Sequence, residues 1–323
     1  MNGLNVLNFE SRAAKGKANV TIQYNHGVNG PDLFRVAATA QPTGYWARVW
    51  RRFKRHRLAK ISLYFLLSMV LAVVIVPELL PYPYDQVSLQ ERFLRPSLRH
   101  PFGTDELGRD LFTRVLHGGR VSLAVGFSVA LSSMLLGGIA GSATGYVGGV
   151  ADNLMMRLVD IAQSLPRIAV LLVLSKVLGG GMFNLIMVLV LLEWTDVARL
   201  ARGVVLSVKV QPYIDAARAG GTSGVRILTH HLLPNTMAPL IVSATLDAGR
   251  AIRAETTLSF LGLGIPPPLS SWGNLLTNAS AYYFTAPFLV FIPGLFILVT
   301  LLSFNLLGDG LRDAMDPRFA ETE

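Results

Sequence analysis

Six stretches of this sequence are apolar for about the length that a helix needs to cross a lipid bilayer. A hydrocarbon core of about 30 Å takes about 20 mostly apolar residues in a helix. The stretches cover residues 61–80, 121–147, 161–178, 183–205, 237–263 and 286–307. Lipid leaves backbone polar groups without partners, so such stretches must form helices. The fold expected is all-α: a polytopic membrane bundle of six transmembrane helices. Composition agrees, with 51% hydrophobic and only 15% charged residues, against about 25% charged in soluble chains. The second stretch is rich in Gly, Ala and Ser, which let helices approach closely in lipid.

Charge position sets the expected orientation. Seven basic residues and no acid lie between Arg48 and Lys60, just before the first stretch. That is a positive-inside signal and a site for anionic head groups. It places residues 46–80 as a basic juxtamembrane segment with the first span, and both termini in the cytoplasm. The net charge of +9 is thereby read as membrane lipid contact, with no nucleic acid. Residues 1–45 show weak periodicity and no early apolar core, and read as a poorly ordered cytoplasmic tail. The 81–120 segment falls outside, with six arginines against five acids. The core is expected over 121–318, with a cytoplasmic loop at 206–236.

Ionisable residues sit at membrane depth. Arg167 and Lys176 lie in the third stretch, Glu193 and Asp196 in the fourth, and Asp247, Arg250, Arg253 and Glu255 in the fifth. Facing lipid, each is costly, so they face one another or a wet cavity. Asp247, Arg250 and Arg253 step by about 60° along one helix side. Arg167, Glu193, Asp196, Asp247, Arg250 and Arg253 are the candidate pathway-lining residues. Internal ion pairing that only holds the bundle together is the competing reading.

No Gly-x-x-x-x-Gly-Lys-Ser/Thr phosphate loop, His-Glu-x-x-His or nucleophile elbow occurs in the sequence. With no Cys, thiolate metal sites are excluded. No catalytic or metal-ligating residue is assigned, and His230-His231 are adjacent rather than spaced for one helix face.

Four motifs remain: 100–110 (HPFGTDELGRD), 213–221 (YIDAARAGG) with Leu233-Pro234, 258–268 (LSFLGLGIPPP) with 271–274 (SWGN), and 307–318 (LGDGLRDAMDPR). The second predicts a short helix over 213–220, a break at Gly220-Gly221, and a helix over 225–233 ended by Pro234. A small-faced helix projecting from a membrane domain suits a groove on a partner. The first motif predicts capping turns leading into a helix near 110–116. The third predicts a stiff run at Pro266–Pro268, packed with Trp272 at the outer interface of spans five and six.

Together these motifs resemble the ABC-importer permeases, in particular the second permease subunit of the dipeptide/oligopeptide/nickel subfamily. The resemblance runs from about residue 97 to 318. It implies the type I ABC-importer permease fold in the bacterial cytoplasmic (inner) membrane. It makes 206–236 an EAA-type loop whose coupling residues are Asp215, Ala216, Ala217, Arg218, Gly221, Leu233 and Pro234. Asp215 stands where the family usually has glutamate, and His231 where an apolar residue is common. The implied partners are a second permease subunit, two ABC ATPase subunits and an extracytoplasmic solute-binding protein. ATP and magnesium are then expected on the ATPases, with no cofactor on this chain and no enzymatic activity of its own. The implied cargo is a di- or oligopeptide, a nickel chelate or another small solute. A channel without ATP, a membrane enzyme using the buried acids, and an accessory subunit without a pathway remain the rival classes.

Overall fold

The structure is a computed structural model that describes residues 45–316 throughout and, before them, the backbone of three strands. The chain divides into two compact units, residues 1–55 and 56–323. In the first, β1 (Asn5–Ala13), β2 (Gly16–Tyr24) and β3 (Arg35–Ala37) form an antiparallel sheet in the order β1-β2-β3. Asn5 stands opposite Tyr24, and Thr21 opposite Ala37. Strands thus occupy part of the segment expected to be an irregular tail, and there the chain departs from all-α. The signal is the alternation of Ala18, Val20, Ile22 and Tyr24 with polar residues, a strand period. The rest of 1–44 lies outside the described residues. Helix α1 (Tyr45–Phe53) completes this unit.

The second unit is helical. Its elements are α2 (Arg57–Leu79), α3 (Leu111–Val147), α4 (Gly149–Ser164), α5 (Arg167–Leu178), α6 (Met182–Val208), α7 (Pro212–Ala219), α8 (Gly224–Ile227), α9 (Leu233–Phe260), α10 (Trp272–Ala279) and α11 (Phe288–Met315). Among the described residues, α2, α3 and α11 are each long and apolar enough to cross a membrane. The expected third span is instead two helices, α4 and α5, bent by 90° at their junction. Pro166 explains the break, since proline excludes Leu165 from the helical region and Leu165 is extended. Helices α6 and α9, with 27 and 28 residues, reach across a bilayer by length but carry the buried charges described below.

Helix α3 starts ten residues before the expected span. The 111–120 stretch, read as part of the outer segment, is its first three turns. Arg114 and Arg120 are tolerated because they are partnered. Arg114 lies 3.3 Å from Asp105, and Arg120 donates to the carbonyls of Val73 and Val74 and to Glu78. The helix begins on the expected cap: Asp110 accepts from the Thr113 backbone N–H at 2.8 Å and also meets the buried His100 ring at 2.9 Å. Gly103 and Gly108, at φ 79° and 74°, make the preceding turns.

Trp272 corrects the third-motif expectation. It is fully buried, and its indole N–H donates to the Val115 carbonyl of α3 at 2.9 Å. It packs in the main core with Val73, Leu111 and Ile252 and lies 6.3 Å from the Phe296 ring of α11, so it touches the last two spans, as expected, but is held by α3 deep in the core rather than at an outer interface.

Helices α3 and α6 approach closely. Gly137, Gly141 and Gly145 recur every fourth residue on α3, against the α6 backbone at Trp194, Ala198 and Arg202. A Cβ at Gly141 would collide with the Ala198 carbonyl, and backbone cannot yield as a side chain does. Gly141→Val is expected to destabilise the unit by about 1–3 kcal/mol or more, read as a lower melting temperature in detergent. An unchanged melting temperature would contradict this packing.

Candidate functional site

The 206–236 segment forms a discrete projection. Pro212 opens α7 where a missing N–H is harmless, and Asp215 lies in the first turn with Arg218 in the last, matching the helix dipole. The end is a Schellman turn. Thr222 N–H bonds the Ala217 carbonyl and Gly221 N–H the Arg218 carbonyl, both at 3.0 Å. Gly221 takes φ 76°, a conformation that glycine adopts without penalty.

One side chain fastens this helix. Ile214 is fully buried against Val205, Ile227 and Leu232, with Tyr146 and Val208 at the edge. Lys209 donates to the Gly145 carbonyl at 2.9 Å, tying the base of the projection to the end of α3. Asp215, Ala216 and Arg218 are exposed, and Ala217 is half-buried. The Asp215–Arg218 pair, 3.2 Å apart and open to solvent, adds little stability. What the element offers is a short rigid helix with a small, charged outer face.

The second half of the projection differs from expectation. Helix α8 has only four residues and continues through a π turn, Leu228–Leu232, into α9 without a break. Pro234 does not end a helix; it sits in the first turn of α9. Leu233 is half-buried and Pro234 exposed. Movement of α7 and α8 is thereby joined directly to the long helix α9.

The second assembly is a partly buried charged chain across α4, α5, α6 and α9. Asp196 accepts from Gln163 and from Arg167, each at 2.6 Å. Arg167 also reaches Glu193 at 3.5 Å, and Glu193 lies 3.9 Å from Arg250. Arg250 pairs with Asp247, which accepts from Ser243 at 3.2 Å. Glu193 and Asp247 are buried. The Oε2 of Glu193 and the Nε of Arg250 have no hydrogen-bond partner. Two guanidiniums therefore stand against three carboxylates, net −1 when all are ionised.

Five of the six sequence candidates are thus in one connected set. Arg253, the sixth, is exposed one turn further along α9 and makes no ion pair among the described residues. Lys176 is exposed on α5, apart from the set. The spacing of α6 extends the pattern: Arg199 meets Asp160 at 2.5 Å, and Arg202 holds Asp152 through two bonds of 2.6 and 2.7 Å.

Glu255 forms a separate site. It is fully buried and is ringed by hydroxyls, from Ser259 at 2.7 Å and Ser122 at 2.9 Å. Sequence spacing grouped it with Asp247 and Arg250. Ser259 at i+4 was a local signal for it; Ser122, on α3, was not visible from sequence. Gln163 and Ser243 were missed for the same reason, being neutral and supplied from neighbouring turns or helices.

Residues 133–321 match the family described as binding-protein-dependent transport system inner membrane component. Residues 44–96 match the N-terminal TM domain of oligopeptide transport permease C. The dipeptide transport system permease protein DppC of Bacillus subtilis is 43% identical over 279 residues, 85% of this chain and 86% of that protein. The oligopeptide transport system permease protein OppC of the same organism is 38% identical over 276 residues, covering 84% and 90%. Among solved structures, inward facing conformations of the MetNI methionine ABC transporter align with a TM-score of 0.50 at 16% identity, over 64% of this chain and 98% of that one. At that identity the likeness speaks for the fold.

Proposed function

The chain belongs to the family of binding-protein-dependent transport system inner membrane components, and from that premise we propose that it is one of two permease subunits of an ATP-driven importer of di- or oligopeptides. Its place is the bacterial cytoplasmic membrane. It crosses six times, by α2, α3, the bent pair α4–α5, α6, α9 and α11, with both termini in the cytoplasm. The basic residues before α2 support this orientation.

The observation that carries the proposal is α7: one buried anchor, Ile214, and an outer face left to solvent. Such a helix fits a groove on a partner. The partner we assign is one of two ABC ATPase subunits, which hold ATP and magnesium. Closure of the ATPases moves α7, and the unbroken path from α8 into α9 carries that motion into the membrane. A solute-binding protein delivers cargo on the opposite side, and the second permease supplies the other half of the pathway.

Peptide cargo is supported by the names of the DppC and OppC relatives and by charge. A peptide carries an ammonium and a carboxylate. The surplus carboxylate of the buried chain, with Glu193 Oε2 free of hydrogen bonds, suits the first. The Arg253 guanidinium suits the second. Affinity capture of the tagged chain from detergent-solubilised membranes, with companions identified by mass, tests the assembly. A second permease and an ATPase are expected in the eluate; recovery of this chain alone would sink the proposal.

A further inference from the structure

Transport gives no role to α1, yet its nine residues (YWARVWRRF) are sorted with little ambiguity. On a helical wheel Val49, Phe53, Trp46 and Trp50 fill one arc of about 100°. Arg51, Arg48 and Arg52 fill the opposite side, with Ala47 at the boundary between Trp50 and Arg51. The apolar arc is itself divided. Val49 and Phe53 are buried, whereas Trp46 and Trp50 remain 55% and 53% exposed. Trp50 stacks on Phe53 at 5.8 Å, and Lys54 lies 5.3 Å above the Trp50 ring. The exposed indoles therefore form a band between a buried edge and a row of guanidiniums. No acid occurs between Arg48 and Lys60, and α2, apolar enough to span a membrane, starts only three residues after α1 ends.

We propose that α1 lies in the plane of the membrane surface from which α2 enters and binds anionic phospholipid head groups. Indoles prefer the boundary between hydrocarbon and water, being apolar in body with a polar N–H. Guanidiniums match phosphate oxygens with paired donors. A basic amphipathic helix with aromatic residues on its other face binds at this boundary, more strongly to anionic lipid. An acidic protein would suit Arg48 and Arg51 but offer no apolar phase to the exposed Trp50 indole; a lipid surface suits both. The inference needs only that the chain sits in a membrane, so it stands apart from the choice of cargo.

The chain has no Cys, so Ala47→Cys carries a single fluorophore at the Trp50–Arg51 boundary of the full-length protein. The labelled protein is placed in phosphatidylcholine vesicles containing a minor fraction of phosphatidylglycerol. Either lipid carries a nitroxide quencher near the top of one acyl chain. Nitroxide phosphatidylglycerol is expected to quench several-fold more than nitroxide phosphatidylcholine. In R48Q/R51Q/R52Q this preference should fall several-fold, toward what Lys54, Arg55, Arg57 and Lys60 sustain, each basic residue being worth up to about fivefold in local enrichment of anionic lipid. High salt should erase it in the unsubstituted helix, a check that holds even when the triple variant fails to insert. Equal quenching by both lipids overturns the proposal. So does quenching by neither, which would put α1 against a protein surface, or a preference that neither neutralisation nor salt reduces.

Discussion

Gly221→Val is expected to abolish ATP-driven uptake while leaving the chain folded and inserted in the membrane. Gly221 holds φ at 76°, and nothing lies within 4 Å of where its Cβ would be. The defect is therefore conformational and not steric. A β-branched residue in the left-handed region costs about 1–2 kcal/mol, so the turn relaxes and α7 leaves at another angle. Ile214 remains in its hydrophobic site, which keeps the fold. The outer face of Asp215, Ala216 and Arg218 no longer lies where a partner groove could hold it. Gly221→Asn is the control, because asparagine tolerates this conformation and should keep most uptake. ATP hydrolysis, cargo uptake and subunit recovery are measured together. Full uptake by the valine variant would contradict a coupling role for this element.

The charges of α9 separate into two kinds by substitution. Asp247→Ala removes a fully buried carboxylate and leaves Arg250 with Glu193 alone at 3.9 Å. The guanidinium left behind, Arg250, is 39% exposed, so water takes up part of the cost and the loss stays below the ~3–5 kcal/mol of a fully buried pair; a clear drop in thermal stability and in assembled complex is expected. Arg253→Gln breaks no ion pair among the described residues and should leave stability unchanged. Its expected effect is on cargo. Loss of a charged hydrogen bond of about 1.5–3 kcal/mol raises the KM for uptake by roughly tenfold to a hundredfold. A stable Asp247→Ala protein would mean that the charged chain does not hold the helices together. Unchanged uptake by Arg253→Gln would remove that residue from the pathway.

The apolar stretches were legible because hydropathy and length alone mark a spanning helix, and α2, α3 and α11 follow them. Helix α7 was legible because Pro212 and Gly220-Gly221 bound it locally. The Asp110 cap was legible for the same reason. Errors arose where partners come from afar. Arg114 and Arg120 read as loop residues because their partners, Asp105 for the first and Glu78 with the α2 carbonyls for the second, come from other segments. The break at Pro166 did have a local signal, overridden by the hydropathy of its surroundings. Pro234 was read as a stop, yet the same residue type is equally at home in a first turn. Of the charged set, only Asp247–Arg250, at a spacing of three, could be paired from sequence. Its connection through Glu193 to Arg167 and Asp196 depends on how α5, α6 and α9 pack. Trp272 could not be assigned to α3 from sequence because its acceptor, the Val115 carbonyl, is a backbone group 157 residues away.

The central claim is that this chain is half of a pathway driven by ATP. The direct test is uptake of a labelled dipeptide into proteoliposomes. They contain this chain, its co-purified permease and ATPases, and the solute-binding protein on the outer side. Accumulation above the external concentration is expected when ATP and magnesium are enclosed. It should vanish without ATP or with Gly221→Val in this chain. Entry that only equilibrates the dipeptide and proceeds equally without ATP would contradict the account and identify a passive channel.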